Sequence, residues 1–453
     1  MDVSIALFTA DLRLRDNPVL RGALAAARRV VPLFVVDEGV AARGFVVPNR
    51  AAFLADALAE LADELAERGG RLVVRRGEVV AETARVAAET GAGEVHLAAG
   101  VSAYARQRER RLRGALEADG RALRVHDAVL TVVPPGRLTP AGKDHFAVFT
   151  PYFRRWDREP VRRPLPVPRT VPVPAGVRSE PLPDGAALAE GRPSPGLPRG
   201  GEATGRRRLA AWRRGRLADY HELSDDLAAD ATSRLSPYLH FGCLSPTDLL
   251  HQARRAGGPG AADFVRQLAW RDFHHQVLAA RPAAGHRDYR SHGDRWRDDP
   301  AAFAAWRAGR TGFPVVDAAM RQLCHEGWMH GRARLLVASF LTKTLYLDWR
   351  LGARHFLDLL VDGDLANNQL NWQWAAGTGT DTRPNRVLNP LTQARRFDPD
   401  GTYVRRWVPE LARIEGRAVH QPWRLPAGER PDYPAPLVDL AAGARRFQRA
   451  RER

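Results

Sequence analysis

Only Cys243 and Cys324 supply thiols in this chain of 453 residues, which excludes a disulfide framework and any four-cysteine zinc or iron–sulfur site. No metal centre is expected. Lysine is equally scarce, Lys143 and Lys343 being the two present. The 69 basic residues are therefore nearly all arginine and, set against 52 acidic ones, leave a formal charge of +17. Alanine and arginine are abundant throughout, so solvated surface charge accounts for many of these arginines. A surplus this large also favours a polyanionic partner such as DNA through counterion release. No apolar run reaches membrane-spanning length, and the start Met1-Asp2-Val3-Ser4 lacks the basic region of a secretion signal. A soluble, monomeric protein of the reducing cytoplasm, without membrane contact, is the expectation.

Short apolar runs near 3–9, 30–36, 72–75, 95–98 and 123–125 alternate with helical patterns near 18–28, 50–68, 79–90 and 104–118. Strand and helix in alternation imply a Rossmann-like α/β domain over 1–131, its parallel sheet covered on both faces and the first strand central. After that strand stands Ala10-Asp11-Leu12-Arg13 rather than a Gly-rich phosphate fingerprint, so a dinucleotide need not bind there. Prolines then crowd 132–205, which reads as a linker running extended over a surface without secondary structure. From 206 to 427 the periodicity is helical throughout, at 206–215, 246–256, 261–280, 300–309, 314–327, 332–346 and 353–361. The expected second domain is all-α, followed by a basic C-terminal tail over 428–453, frayed at its end.

The segment 362–374, Asp-Gly-Asp-Leu-Ala-Asn-Asn-Gln-Leu-Asn-Trp-Gln-Trp, holds two carboxylates, four amides of asparagine and glutamine in its first ten residues, and two indoles. One reading is an Asp-capped helix start followed by core tryptophans. That leaves the amides without partners. The other is a surface that bonds the edge of a planar heterocycle or the hydroxyls of a ribose, with indoles alongside.

Motifs of the helical half run in a fixed order: Thr232-Ser233-Arg234-Leu235-Ser236-Pro237-Tyr238-Leu239-His240-Phe241-Gly242, Trp270-Arg271-Asp272-Phe273, Gly312 to Arg321, Gly327-Trp328-Met329-His330, Asp348-Trp349-Arg350, the 362–374 segment and Thr378-Gly379-Thr380-Asp381. Together with Asp11 to Asn17 they make the chain resemble the photolyase/cryptochrome flavoproteins over nearly its whole length. The resemblance implies an antenna domain, a linker, and an all-helical FAD-binding and DNA-lesion domain. It assigns Tyr220, Thr232, Ser233, Arg234, Leu235, Ser236, Arg334, Asp362, Asp364 and Asn368 to FAD, Asn368 facing flavin N5. It also assigns Trp372, Trp349 and Trp296 to an electron-carrying chain of indoles, and core packing is the alternative for those three. Gln267, Trp270, Gly331, Leu335 and Trp374 fall at lesion-binding positions, with Asn368, Gln267 and Trp270 the expected catalytic residues.

What the resemblance implies is light-driven repair of cyclobutane pyrimidine dimers in UV-damaged DNA, by electron donation from excited reduced FAD to a flipped dimer. The lesion positions depart from the best-known bacterial enzymes: Gln267 replaces a glutamate, Gly331 an asparagine and Leu335 a methionine. A blue-light photoreceptor of the cryptochrome kind is the rival reading. A (6-4) photolyase is less favoured, because that group has histidines at the positions of Gly331 and Leu335. For the antenna, Asn49-Arg50 resembles the helix start of deazaflavin-binding members, so Arg50 is a candidate contact for 8-hydroxy-5-deazaflavin or methenyltetrahydrofolate. Leu7 and Thr9 depart from that group's first-strand pattern.

Overall fold

The computed structural model describes residues 1–452, and the chain in it divides into two compact units. One comprises Met1–Pro193, Pro198–Ala218 and Ser233–Pro282; the other comprises Ser194–Leu197, Asp219–Thr232 and the chain from Ala283 onward.

In the first unit five parallel strands, β1 (Val3–Phe8), β2 (Arg29–Asp37), β3 (Val73–Gly77), β4 (Glu94–Ala98) and β5 (Ala122–His126), form one sheet in the order β3-β2-β1-β4-β5. The first strand is central, as its sequence predicts: all six residues of β1 are buried, the signature of a strand covered on both faces. Helices α1 (Pro18–Ala26), α2 (Pro48–Ala66), α3 (Val79–Thr90) and α4 (Ala103–Ala118) connect the strands.

The expected boundary near residue 205 is not where this unit ends. Helices α6 (Glu202–Gly215), α7 (Pro246–Ala256) and α8 (Gly258–Ala280) also belong to it. The reason lies at Gly242, whose φ is +68° and where a Cβ would sit 1.9 Å from the Ala10 carbonyl oxygen. Only glycine permits that approach, and through it Leu12 N–H donates to Phe241 O and Arg13 Nη1 to Gly242 O. The linker is likewise hydrogen-bonded within this unit, Val171 N–H to Arg68 O in the turn after α2 and Glu180 N–H to Val74 O of β3. It also contains a helix that the proline-rich pattern does not predict, α5 (Phe149–Trp156), where Phe149, Tyr152 and Trp156 are buried.

The second unit is helical apart from an isolated bridge between Arg297 and Leu347. Its core gathers Trp306, Phe313, Met320, Phe340, Trp349, Phe356 and Trp372. The helix predicted over 332–346 divides: α9 (Gly331–Ser339) passes into a π turn at Phe340–Thr344. Helices α10 (Trp349–Leu359) and α11 (Leu365–Ala376) follow. The expected frayed tail is corrected, because α12 (Leu440–Arg451) docks through fully buried Phe447 and through an Arg451–Asp294 ion pair of 3.0 Å with both side chains buried. No helix among the described residues is long and apolar enough to cross a membrane.

Candidate functional site

The 362–374 segment satisfies both readings offered by its sequence. Asp364 caps α11, accepting from Asn367 N–H at 2.9 Å and from Asn367 Nδ2 at 3.0 Å. Capping does not leave the amides unpaired, which corrects the sequence argument. Gln369 Nε2 donates to Gly285 O at 2.8 Å, Gln373 Nε2 to Ala284 O at 2.6 Å, and Gln373 Oε1 accepts from Tyr289 N–H at 2.7 Å. Partners from 284–289, distant in sequence, are what a local pattern does not reveal.

Just before the helix, Asp362 meets Arg334 of α9. The guanidinium Nη2 donates to both carboxylate oxygens, at 2.8 and 3.1 Å, while Nε donates to Met329 O. Asp362 is almost fully buried and Arg334 about one-quarter exposed, so a buried carboxylate is neutralised beside a guanidinium whose fork is fixed at both ends. One turn into α11, Asn368 Nδ2 donates to Ala353 O at 3.1 Å and to Gln369 Oε1 at 3.1 Å. Two acceptors on one side fix the orientation of the amide: a flip would set its oxygen against the Ala353 carbonyl.

Of the expected relay indoles, Trp372 and Trp349 are buried and Trp296 is partly exposed. Trp372 lies edge-on to Phe356 at 4.9 Å and to Trp306 at 6.0 Å, and its Nε1 has no hydrogen-bond partner. Trp349 Nε1 donates to Asp288 at 2.8 Å, and Trp296 lies 5.0 Å from Tyr346. Trp306 and Asp288 were not singled out by sequence reasoning; Asp288 stands in a polar connector with no periodicity to mark it. Burial pushes His355, beside Trp306, down to about 4, so it is neutral at physiological pH.

Trp374 on α11 carries the Arg386 guanidinium 5.5 Å from its ring centroid. Gly331 is exposed, with open space for 4 Å around the point a Cβ would occupy, and Leu335 is half-buried one turn on. Tyr220 is buried, and Thr232 has a buried Oγ1 with no hydrogen-bond partner, an orphaned hydroxyl of the kind a ligand satisfies. In the sheet-bearing unit, Ser233 Oγ accepts from Leu235 N–H and the Ser233 carbonyl from Arg208 Nε. Arg234 holds φ +52°, a left-handed conformation unusual for arginine, and Ser236 begins a short helical turn.

Gln267 is exposed on α8, and Trp270, one turn on, is half-buried. Trp270 stacks face to face on Phe149 at 3.7 Å and 5°. Arg50 is buried, donates to Phe45 O and lies over the Phe45 ring at 4.4 Å, so its visible role is to fix the turn before α2.

A family model described as the FAD binding domain of DNA photolyase matches residues 264–453, and one described as DNA photolyase matches residues 4–172. A deoxyribodipyrimidine photo-lyase of Streptomyces griseus is 64% identical, covering 100% of this chain and 99% of the relative. The fold is similar to that of a class III photolyase from Agrobacterium tumefaciens, with TM-score 0.92, 33% identity, and coverage of 99% of this chain and 96% of that one. It is equally similar to a Synechocystis cryptochrome, with TM-score 0.92, 29% identity and 99% coverage of each chain.

Proposed function

The chain belongs to the DNA photolyase family, and from that premise we propose the following reading of its chemistry. It is a deoxyribodipyrimidine photo-lyase that binds FAD and uses light to repair pyrimidine dimers in UV-damaged DNA. Bound FAD supplies the photochemistry, one electron lent to the lesion and recovered after the ring opens. The chain's own residues place the partners, exclude water and hold charge.

Arg334, Asp362, Asp364, Asn368, Tyr220 and Thr232 are proposed for FAD, with Ser233, Arg234, Leu235 and Ser236. The orphaned Thr232 hydroxyl suits a phosphate oxygen, and the Arg334–Asp362 pair suits the polar edge of the ring system. The observation that carries the reading is Asn368. With Nδ2 committed to Ala353 O, the amide presents Oδ1 as its remaining acceptor, matching a flavin N5 that bears a proton when reduced. An aspartate here would instead bring a charge or a donor. For the lesion, Trp270 and Gln267 of the sheet-bearing unit are proposed as an aromatic stacking face and a partner for a pyrimidine carbonyl; in the helical unit, taken by itself, Trp374 is proposed as a stacking face and Gly331 and Leu335 as lesion-binding positions that leave room. The arginine surplus would grip phosphates without reading sequence. Cyclobutane dimers are the proposed lesion, since Gly331 and Leu335 carry no imidazole for (6-4) chemistry. An antenna chromophore held near Arg50, monomeric assembly and a cytoplasmic location are proposed with it.

The open space at Gly331 is the feature that favours the photoreceptor reading. The deciding experiment illuminates flavin-loaded, reduced protein with oligonucleotides bearing a defined cyclobutane dimer or (6-4) product. Recovery of thymine absorbance with the cyclobutane substrate alone is expected. Equal binding of damaged and undamaged DNA, with neither lesion repaired, would replace repair with signalling.

A further inference from the structure

Trp349 has surroundings that differ from ordinary core packing and from those of the indoles next to it. It is fully buried at the start of α10. Its Nε1 donates at 2.8 Å to Asp288 Oδ1, an oxygen that also accepts from Arg350 Nη2 at 2.9 Å. The guanidinium of Arg350 lies 4.8 Å from the Trp349 ring centroid and is held by His286 O through Nε and by Asp348 through Nη1. The neighbouring indoles lack this arrangement. Trp372 Nε1 has no partner, and Trp306 Nε1 donates to a neutral carbonyl, Val337 O.

We propose that Asp288 accepts the indole proton of Trp349 when light-driven electron transfer oxidises that indole; this rests on Trp349 being a relay between Trp372 and the outer tryptophan. An indole that has lost an electron is a far stronger N–H acid than a neutral one. Buried Trp349 cannot release its proton to bulk water, whereas the Asp288 side chain is 15% exposed and can pass a proton outward.

An electron leaves Trp349 for the oxidised indole of Trp372, whose own electron has gone to photoexcited oxidised flavin. The Nε1–H bond of Trp349 then breaks, an O–H bond forms on Asp288, and the products are a neutral indolyl radical and a carboxylic acid. The Arg350 charge over the ring raises the energy of a cationic indole, an effect that exists only once the indole is oxidised. Deprotonation relieves that repulsion and makes electron return wait for the proton. Asp288 is a positioning and proton-holding residue of photoreduction, and the charged groups around it are Arg350, Asp348, Asp294 and Arg451.

Flash spectroscopy on the flavin-loaded, oxidised protein separates cationic from neutral indole radicals by their spectra. Wild-type protein and Asp288→Glu should form the neutral radical with at least a twofold slowing in deuterated water. Asp288→Asn, which keeps shape and an acceptor oxygen without basicity, should accumulate the cationic radical and lose charge separation at least fivefold faster. A neutral radical with an unchanged isotope effect in Asp288→Asn overturns the proposal. Trp349→Phe distinguishes the premise: photoreduction equal to wild type in that variant means the relay reading itself has failed. Without flavin, the indole N–H resonance of Trp349 should lie downfield and exchange at least tenfold more slowly than in Asp288→Ala. An unchanged resonance and exchange rate in Asp288→Ala would remove the hydrogen bond on which the proposal stands.

Discussion

The two units dispose of buried charge differently. In the sheet-bearing unit, ionic side chains end on main-chain groups of distant loops. Arg13 donates to Gly242 O, Asp16 O and Val129 O, Glu202 accepts from Leu14 N–H at 2.7 Å, and Asp272 Oδ2 accepts from Val132 N–H, Val133 N–H and Trp156 Nε1, each at 2.9 Å. In the helical unit Asp317 and Asp398 also accept from main-chain N–H groups, but two ion pairs there end on one another beside aromatic rings, Arg334–Asp362 beside Trp328 and Arg350–Asp288 beside Trp349. The first arrangement staples segments that have no ladder of their own. The second orients dipoles and charges where a ligand or an oxidised indole would need them. Substitutions should therefore show as lost stability in one unit and as lost cofactor chemistry in the other.

The largest expected effect is at Asp362. Asp362→Ala leaves Arg334 without its counter-ion, and part of the usual cost of breaking a buried pair is relieved because Arg334 is about one-quarter exposed. The flavin-to-protein ratio after desalting should fall at least tenfold while the fold persists. A variant that keeps its flavin and merely melts earlier would erase the contrast between the units.

Arg13→Met is the counterpart. It strips three carbonyl oxygens of a buried donor, and the loss should be about 3–5 kcal/mol of stability. The folded fraction should still hold flavin, and urea unfolding followed alongside flavin absorbance tests this.

Lys343 crosses the division: it is a buried charge of the helical unit that ends on main chain, its Nζ donating to Pro384 O and Arg386 O at 2.7 and 2.8 Å. Burial pushes it down from 10.5 to about 7. Between those values the unfolded chain carries a proton that the folded chain does not, so stability should rise with pH through that window. Across the whole window the rise from this group should be on the order of 5 kcal/mol. Lys343→Met should flatten it, as thermal melts at both ends of the window would reveal. An identical pH profile in the variant would mean that the ammonium stays charged in the fold.

Trp270→Ala should weaken binding of dimer-containing DNA by about 1–3 kcal/mol, the scale of one base stacked on an aromatic ring, and leave undamaged duplex nearly unaffected. Because Trp270 is stacked on Phe149, a fall in melting temperature should accompany it. Melting loss without any change in damaged-DNA affinity would make Trp270 a packing residue of the sheet-bearing unit.

The sequence was most informative where structure is local. The central strands β1 and β2 announced themselves most clearly as apolar runs, because a strand covered on both faces has little polar alternation, whereas the edge strand β5 carries exposed Arg124 between Leu123 and Val125. Helix Phe149–Trp156 is masked by a neighbourhood rich in proline, although Phe149, Tyr152, Phe153 and Trp156 fall at i, i+3, i+4 and i+7. The extent of the sheet-bearing unit was hidden for another reason. Gly242 and Arg13 join segments far apart in the chain, and nothing in the periodicity of α6 to α8 says that they belong with the sheet. At the candidate site, Arg334, Asp362 and Asn368 came from ordered motifs. Asp288 lay in a stretch without period or motif, and only its contact with Trp349 gives it meaning.

Gln267→Glu should have the smallest effect, and its sign sharpens the comparison. Gln267 is exposed on α8, three residues before Trp270 and next to Arg266, whose guanidinium lies over Phe149 and Phe153. A carboxylate there adds negative charge near DNA phosphates, which should weaken undamaged-duplex binding by well under about 1 kcal/mol and steepen no salt dependence, since no phosphate contact is gained. Protonated, the same side chain gives a pyrimidine carbonyl an O–H donor, a better stabiliser of transient negative charge than an amide N–H. Repair per photon should therefore be preserved or raised while undamaged-DNA affinity falls slightly. Quantum yield measured beside filter-binding affinity separates the two. A drop in yield equal to the drop in affinity would show that residue 267 acts only through surface charge, and would leave the sheet-bearing unit a purely structural and DNA-gripping role.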